Sequence, residues 1–326
     1  MKMFLFNAVL GIFFIANEAN GSKVFNLIAI DKGIVVAPFH STTAHYRQCF
    51  SICSLNPKCL SFDHSYTSDI GECSFYDVGV AVFNQTTKFQ EKIGSKYHSI
   101  HMATDCADWY RLGHRENGVY EVHLLSKYKR RVYCHMGAAE GGWMAFQRRF
   151  DGSVQFIGRN WEEFKNGFGN PEGEYYLGNE LLHLLTTSED YDYLVEARSY
   201  GQASSARRKL IHKVHIESEE EDYKIQYRLE DISEDYGGAT SYGTLMRGCR
   251  FSTFDHDRDT APDQNCGQLY GGWWHAWCHD VAMNGHYSHT ETPVSPASGI
   301  IWRDWRGHGE TLKNSLLMIR RSSFKQ

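Results

Sequence analysis

At 326 residues, 42% hydrophobic and 14% aromatic, the chain is long enough for two domains and for a sizeable core. Its 34 basic and 39 acidic residues give a formal net charge of −5, which supplies no electrostatic reason to expect nucleic acid or an acidic membrane as partner. The basic clusters, Lys127 to Arg131 and Arg207-Arg208-Lys209, read as solvated strand ends, with a heparin-like polyanion site as the sharper alternative.

The chain opens with Lys2, an apolar run from Met3 to Ala16, and the small residues Ala19 and Gly21. That order predicts a signal peptide over residues 1–21, too short and wrongly flanked for a membrane anchor. No later stretch reaches a spanning length, so the mature protein is expected to be secreted and soluble. Nine cysteines then read as disulfide partners of an oxidising compartment. Cys49-x3-Cys53 lacks the spacing of common zinc modules and has no histidine pair at the right distance. Asn84-Gln-Thr86 is a glycosylation sequon.

Residues 22–100 read as a small cysteine-stapled unit. A helix within Ala44 to Leu55 sets Cys49 and Cys53 on one face at i, i+4, and Pro57 ends it. Cys59-Leu-Ser-Phe62 and Cys73-Ser-Phe75-Tyr76 alternate like strands. This arrangement resembles the PAN/Apple fold, a helix pinned by disulfides to a small antiparallel sheet. The resemblance implies the pairs Cys49–Cys73 and Cys53–Cys59. It also implies a reduced form of the fold, because the outer pair joining the termini of many Apple domains is missing.

Residues 101–326 form the second region. Leu177 to Leu185 is its clear amphipathic helix; Tyr193 to Ala197, Val214 to Glu217 and Tyr223 to Leu229 alternate like antiparallel strands. The run Glu219 to Asp222 between them reads as a solvated turn. Glycines recur beside aromatics, as in Gly141-Gly-Trp143, Asn166-Gly-Phe-Gly169 and Gly173-Glu-Tyr-Tyr-Leu-Gly-Asn-Glu180. With Asp105-Cys106, Val132-Tyr-Cys134, Phe150-Asp-Gly-Ser153, Asn284-Gly-His-Tyr287 and Gly299-Ile-Ile-Trp302, these motifs stand in one order along some 220 residues. They resemble the fibrinogen-related domain, the C-terminal globular module of fibrinogen chains, ficolins, tachylectins, angiopoietins and tenascins. The resemblance, especially to the ficolin/tachylectin type, implies an α+β fold. Its parts are a twisted antiparallel sheet, short helices and a loop-rich calcium subdomain.

Phe251 to Cys278 carries the candidate site. Asp255, Asp257 and Asp259 alternate on one short loop, and neighbouring carboxylates are costly without a cation between them. Calcium, with six to eight oxygen ligands, suits such a loop; a solvated acidic turn satisfies the same residues. An EF-hand does not, since its glycine and bidentate glutamate positions are Thr260 and Cys266. The family resemblance assigns calcium to Asp257 and Asp259, with backbone carbonyls from Ala261 to Gln264. The family spaces its last aspartate five residues from the cysteine, whereas Thr260 to Asn265 make six here.

The resemblance further implies disulfides Cys266–Cys278 and Cys106–Cys134, and a cis peptide at Trp277–Cys278. In lectin members Tyr270, Trp277, Cys278 and His279 match a pocket for N-acetylated ligands. The tyrosines that complete it in lectin members are missing from His289 to Ser298 and from Gly307 to Glu310. The plainer alternative is that Tyr270 and His279 only pack beneath the loop. His275 and His279 lack the following glutamate of a zinc protease motif. Cys249 is left over, either a buried free thiol or the basis of an intermolecular disulfide. Oligomers would form through Cys249 or through the Apple-like region, because no collagen or heptad repeat is present.

The resulting expectation is a secreted, calcium-dependent lectin for glycans or acetylated groups on cell or microbial surfaces. The alternative is a protein-binding module for a receptor, matrix or clotting-type partner. An enzyme is not expected. Ala239-Thr-Ser241-Tyr-Gly243 half resembles a nucleophile elbow but has no strand-to-helix setting, so no catalytic residue is assigned.

Overall fold

The computed structural model describes residues 25–34, 38, 40–55, 59, 61–65, 70–76, 89–100, 103–111, 113–125, 127–201, 206–232 and 246–324. The signal peptide, Pro57, the Asn84 sequon and Ala239 to Gly243 lie outside these residues. The chain divides into two compact units, Met1–Thr104 and Asp105–Gln326.

In the first unit, strands β1 (Phe25–Ile34), β2 (His40–His45), β3 (Ser61–Ser65), β4 (Ile70–Tyr76) and β5 (Phe89–Ile100) accompany helix α1 (Tyr46–Leu55). The strands form one antiparallel sheet in the order β1-β5-β3-β4-β2. Cys49 and Cys53, one helical turn apart, both face inward. Cys49 is bonded to Cys73 on β4 and Cys53 to Cys59. Phe62 and Phe75, cross-strand partners, pack beside them in a small core. Cys49–Cys73 closes a loop with a sequence separation of 24, and loop-closure entropy makes such a bond worth about 3–4 kcal/mol. A core this small depends on it.

The second unit begins with α2 (Cys106–Arg111), the hairpin β6 (Gly118–Leu124) and β7 (Tyr128–His135), then β8 (Trp143–Arg149). Short elements α3 (Trp161–Asn166), β9 (Phe168–Gly169) and β10 (Tyr175–Tyr176) lead to α4 (Asn179–Ser188). The long strands β11 (Tyr191–Ser199) and β12 (Ala206–Ile216) and the brief β13 (Ile225–Gln226) follow. Then come β14 (Phe251–Ser252), α5 (Cys266–Tyr270), β15 (Trp273–Trp274), β16 (Val281–Ala282), β17 (Ile301–Trp302), α6 (Arg303–Arg306) and β18 (Leu312–Arg321). The main sheet runs β13-β12-β11-β18-β8-β10-β9, with the β6–β7 hairpin joined to β8. This is the α+β fold. The last strand in sequence, β18, sits at the centre, so the sheet cannot close until the whole second unit is present.

Four local expectations are corrected. The Tyr223–Leu229 strand shrinks to Ile225–Gln226, because Asp222 and Tyr223 take left-handed φ values of 54° and 46° and Leu229–Asp231 coils into a 3-10 turn. The helix starts at Asn179, since Gly178 at φ 110° turns the chain into it. The run Glu219 to Asp222 is tied inward rather than merely solvated. Glu219 accepts from the Trp161 indole at 2.9 Å and from Lys165 at 2.6 Å, which holds its carboxyl below the usual range. Lys209, read as part of a solvated cluster, is buried in β12.

The core is aromatic. Trp143, Trp273, Trp302, Tyr176, Tyr223, Phe156 and Phe164 are fully buried, each contributing about 1.5–3 kcal/mol or more by the area removed from water. Polar side chains tie the sheet to the loops that follow. Gln147 on β8 donates to the Met283 carbonyl at 2.8 Å, and buried Arg149 reaches the carbonyls of Met283 and Gly285. Asn284 donates to the Gly272 carbonyl at 2.8 Å. Gly285 is required by close approach, because a Cβ there would sit 1.9 Å from the Gly299 carbonyl oxygen. Buried Glu174 accepts the backbone N–H groups of Phe150, Asp151, Gly152 and Val154 at 2.6–3.2 Å, fixing that turn. Cys106–Cys134 pins α2 to β7, and Arg321 pairs with Asp105 and Asp108 at 2.6 Å to hold α2 against the end of β18.

Candidate functional site

The acidic loop leaves β14 with its residues pointing alternately two ways. Asp255 is committed to structure: its Oδ1 accepts from Trp161 N at 3.0 Å and Thr253 Oγ1 at 2.7 Å. The Trp161 bond satisfies one of the free donors at the start of α3, beside the Asn160–Glu163 capping box. His256 and Arg258 turn inward to Asp222, at 2.7 Å and 3.1 Å, and the His256 ring lies 4.0 Å from that of Trp161. Asp257 and Asp259 are left together on the other side.

Asp259 is anchored through both oxygens, accepting from Ala261 N and Cys266 N at 2.8 Å each. Asp257 Oδ1 accepts from Asp259 N at 3.3 Å. Burial, and then the adjoining Asp257 carboxyl, holds Asp259 above the usual carboxylate range despite those two backbone donors. Two carboxyls crowded on one turn form a hard-oxygen donor pair that a divalent cation relieves, so the residues present fit calcium. Among the described residues no group of three or more His, Cys, Asp and Glu side chains forms a metal cluster. Further ligands there would be carbonyls and water.

The same loop runs into α5, whose Asn265 cap accepts from Gln268 N at 2.8 Å. Gly267 lies so near Thr253 that a Cβ would meet its backbone at 2.6 Å, which draws α5 onto the strand carrying the aspartates. Cys266, the first residue of α5, is bonded to Cys278. No cis peptide occurs among the described residues, so the cis expectation at Trp277–Cys278 is corrected. The chain reverses there through Cys278 itself, at φ 53°, with Ala276 N donating to the Cys278 carbonyl at 3.0 Å.

Tyr270 and His279 meet edge to face at 4.6 Å between ring centres. His279 donates from Nε2 to the Ala297 carbonyl at 3.1 Å, leaving Nδ1 buried without a partner among the described residues. His275 donates from Nε2 to the Gly271 carbonyl at 2.8 Å and lies 5.6 Å from the His279 ring. His308 approaches His279 from the other flank, at 5.9 Å. Burial pushes His275 down to about 4, and burial with its two histidine neighbours pushes His279 down to about 3. Both rings are therefore neutral in ordinary physiological fluids. The Gly307–Glu310 stretch, read as lacking the usual tyrosine, brings the His308 ring to that flank instead; nothing local paired it with His279.

Outside these rings three large apolar side chains stand exposed among polar ones. Trp277, next to Cys278, is 76% exposed, Leu269 on α5 47% and Phe254 43%. Asn265 donates to the Phe254 carbonyl at 3.1 Å, which brings Phe254 beside α5. Sequence reasoning named Trp277 but missed Leu269 and Phe254. Cys249 forms no disulfide among the described residues and is half-buried against the core, its thiol pushed up to about 11 by burial. No described helix is long and apolar enough to cross a membrane.

Comparison with known proteins agrees with this architecture. Residues 102–322 match the family described as fibrinogen beta and gamma chains, C-terminal globular domain. Angiopoietin-2 of Homo sapiens is 36% identical over 68% of this chain and 43% of its own length. The chain thus spans less than half of that relative. Microfibril-associated glycoprotein 4 of Mus musculus is 36% identical over 67% of this chain and 84% of its own length. Among solved structures, the fibrinogen-like globe domain of human ANGPTL6 superposes with a TM-score of 0.62 at 32% identity, covering 68% of this chain and 96% of that one. Lamprey fibrin D-dimer complexed with the peptide Gly-His-Arg-Pro-amide gives 0.60 at 26% identity, over 68% of this chain and 74% of that one.

Proposed function

The chain belongs to the family of fibrinogen C-terminal globular domains, and from that premise we propose that it is a secreted protein-binding module that recognises an extracellular protein partner. The observation that carries this reading is the exposure of Trp277 beside the Cys266–Cys278 bridge, with Leu269 and Phe254 also exposed on the segments that the bridge and Asn265 hold together. Exposed aromatics on a braced loop are the usual anchors of protein interfaces. The peptide bound to lamprey fibrin supports recognition of polypeptide by this fold. Calcium on Asp257 and Asp259 is part of the proposal. It neutralises the carboxyl pair and stiffens the loop that leads into α5. The first unit, on this reading a PAN/Apple-like domain, supplies a second contact or an oligomer interface, with Cys249 as the other route to oligomers. No catalytic role is proposed.

A lectin remains the second reading, favoured by one observation: the Tyr270–His279 ring pair and the unpartnered His279 Nδ1 would suit the methyl and polar group of an acetylated ligand. Binding of the labelled full chain to cultured cells separates the two. Prior protease treatment of the cells abolishes binding to a protein partner, and glycosidase treatment leaves it. Loss on glycosidase treatment, with competition by N-acetylglucosamine, would overturn the protein-binding reading in favour of the lectin.

A further inference from the structure

Between β16 and β17 the chain carries His289-Thr-Glu-Thr-Pro-Val-Ser-Pro-Ala-Ser298, a stretch of which the ring cluster uses only the Ala297 carbonyl. Two of the chain's six prolines, Pro293 and Pro296, fall within it. Each follows directly on a hydroxyl residue, Thr292 and Ser295. Both hydroxyl residues are exposed. A residue before proline is held in extended backbone, and Ser/Thr-rich sequence with proline is the composition of O-glycosylated segments.

The hydrogen bonds sort the hydroxyls of this loop into two classes. Ser288 donates to the Thr292 carbonyl at 2.9 Å, Thr290 pairs with Ser288 at 3.3 Å, and Ser298 donates to the Ser295 carbonyl at 2.8 Å. Those three shape the loop. The Thr292 and Ser295 hydroxyls make no hydrogen bond among the described residues, although the backbones of both are bonded. The loop is also anchored: His286 N donates to the Ser298 carbonyl at 2.7 Å, Thr311 N to the Glu291 carbonyl at 2.8 Å, and Ala297 N to the His308 carbonyl at 2.9 Å. Pro293 is buried beneath it. The result is two hydroxyls, unbonded among the described residues, displayed on a firmly held loop of bends and turns whose one charged side chain is Glu291.

We propose that Thr292 and Ser295 are sites of mucin-type O-glycosylation, each taking an N-acetylgalactosamine from a nucleotide sugar. In each transfer the hydroxyl oxygen bonds to the anomeric carbon of the sugar as the bond to the nucleoside diphosphate breaks. The hydroxyl proton is released with the diphosphate. Four disulfides set the folding of this chain in an oxidising compartment, where such transferases work, and favour a sugar over a phosphate. Pro296 alone separates Ser295 from Ala297, whose carbonyl holds His279, so the sugar lies at the margin of the proposed binding surface.

The test is the intact mass of the full chain secreted from animal cells competent for O-glycosylation, after enzymatic removal of N-linked glycans. Fragmentation that keeps labile sugars then maps the peptide spanning 286–303. Increments of N-acetylhexosamine on Thr292 and Ser295, absent from a Thr292→Val, Ser295→Ala double variant, are expected. A mass equal to the unmodified chain, increments mapped only elsewhere, or a phosphate on these residues would overturn the assignment. Mapping on the natural chain decides the matter even if the variant is not secreted.

Discussion

The main sheet and the segment from Phe251 to Thr311 are built on opposite principles. In the sheet, β11 pairs along its length with β12 on one side and β18 on the other, and apolar side chains repeat beneath the ladder. In the segment, β14 to β17 are two residues each, and order comes from individual polar groups. Asp222 holds His256 and Arg258, Gln147 and Arg149 hold Met283 and Gly285, and one disulfide closes α5 onto Cys278. Stability spread over many equivalent bonds tolerates local change. Stability concentrated in a few buried polar groups does not, and that same concentration leaves the surrounding surface free to carry Trp277.

The sharpest way to break this contrast is to remove a polar hub. Glu174→Ala strands four backbone N–H groups of the turn beside the segment, and is expected to cost about 3–5 kcal/mol in urea unfolding. A loss under about 1 kcal/mol would show that water replaces the carboxylate freely.

Acid probes the segment next. His275 folds with its pKa depressed to about 4, so between about pH 6.5 and about pH 4 the unfolded chain takes up a proton that the folded chain refuses. Its contribution is intact above about pH 6.5 and falls with pH by on the order of 3 kcal/mol, the depression converted at 1.36 kcal/mol per pH unit. The same sign holds for His279. A His275→Asn, His279→Asn variant should show a flatter profile of midpoint against pH over that window. An unchanged slope would place the acid sensitivity elsewhere.

Calcium comes third. At millimolar concentration and an affinity of about 10⁻⁴ to 10⁻³ M, it should stabilise the folded chain by about 1 kcal/mol, visible as a small rise in Tm. Asp257→Asn should abolish that rise while leaving the calcium-free Tm nearly unchanged. On the sheet side the effect should be smallest. Lys313→Ala on an exposed position of β18 is expected to change stability by no more than about 0.5 kcal/mol.

The same division governs what could be read from the sequence. Features written in short spacings were legible: the α4 helix, the β11 strand (though it is buried on both faces rather than alternately), the paired aspartates, and the nearness of Tyr270 to His279 through the family resemblance. The Tyr223–Leu229 strand was misread because its alternation carries no sign of left-handed backbone at Asp222 and Tyr223. Asp255 could not be separated from Asp257 and Asp259, since its partner, Trp161 N, lies 94 residues earlier. The approach of His308 to His279 likewise exists only once separate segments meet. Trans geometry at Trp277–Cys278 is also a property of the folded turn, not of the residues in it.

The central claim is that the Trp277 surface binds a protein partner. The most direct test is the affinity of the full chain for cultured cells, measured for the natural sequence and for Trp277→Ser. Truncating an exposed aromatic anchor should weaken binding by about 30-fold, equivalent to about 2 kcal/mol, with Tm unchanged because the side chain is 76% exposed. Equal affinity for the two proteins would contradict the account and move the binding surface away from the Cys266–Cys278 bridge.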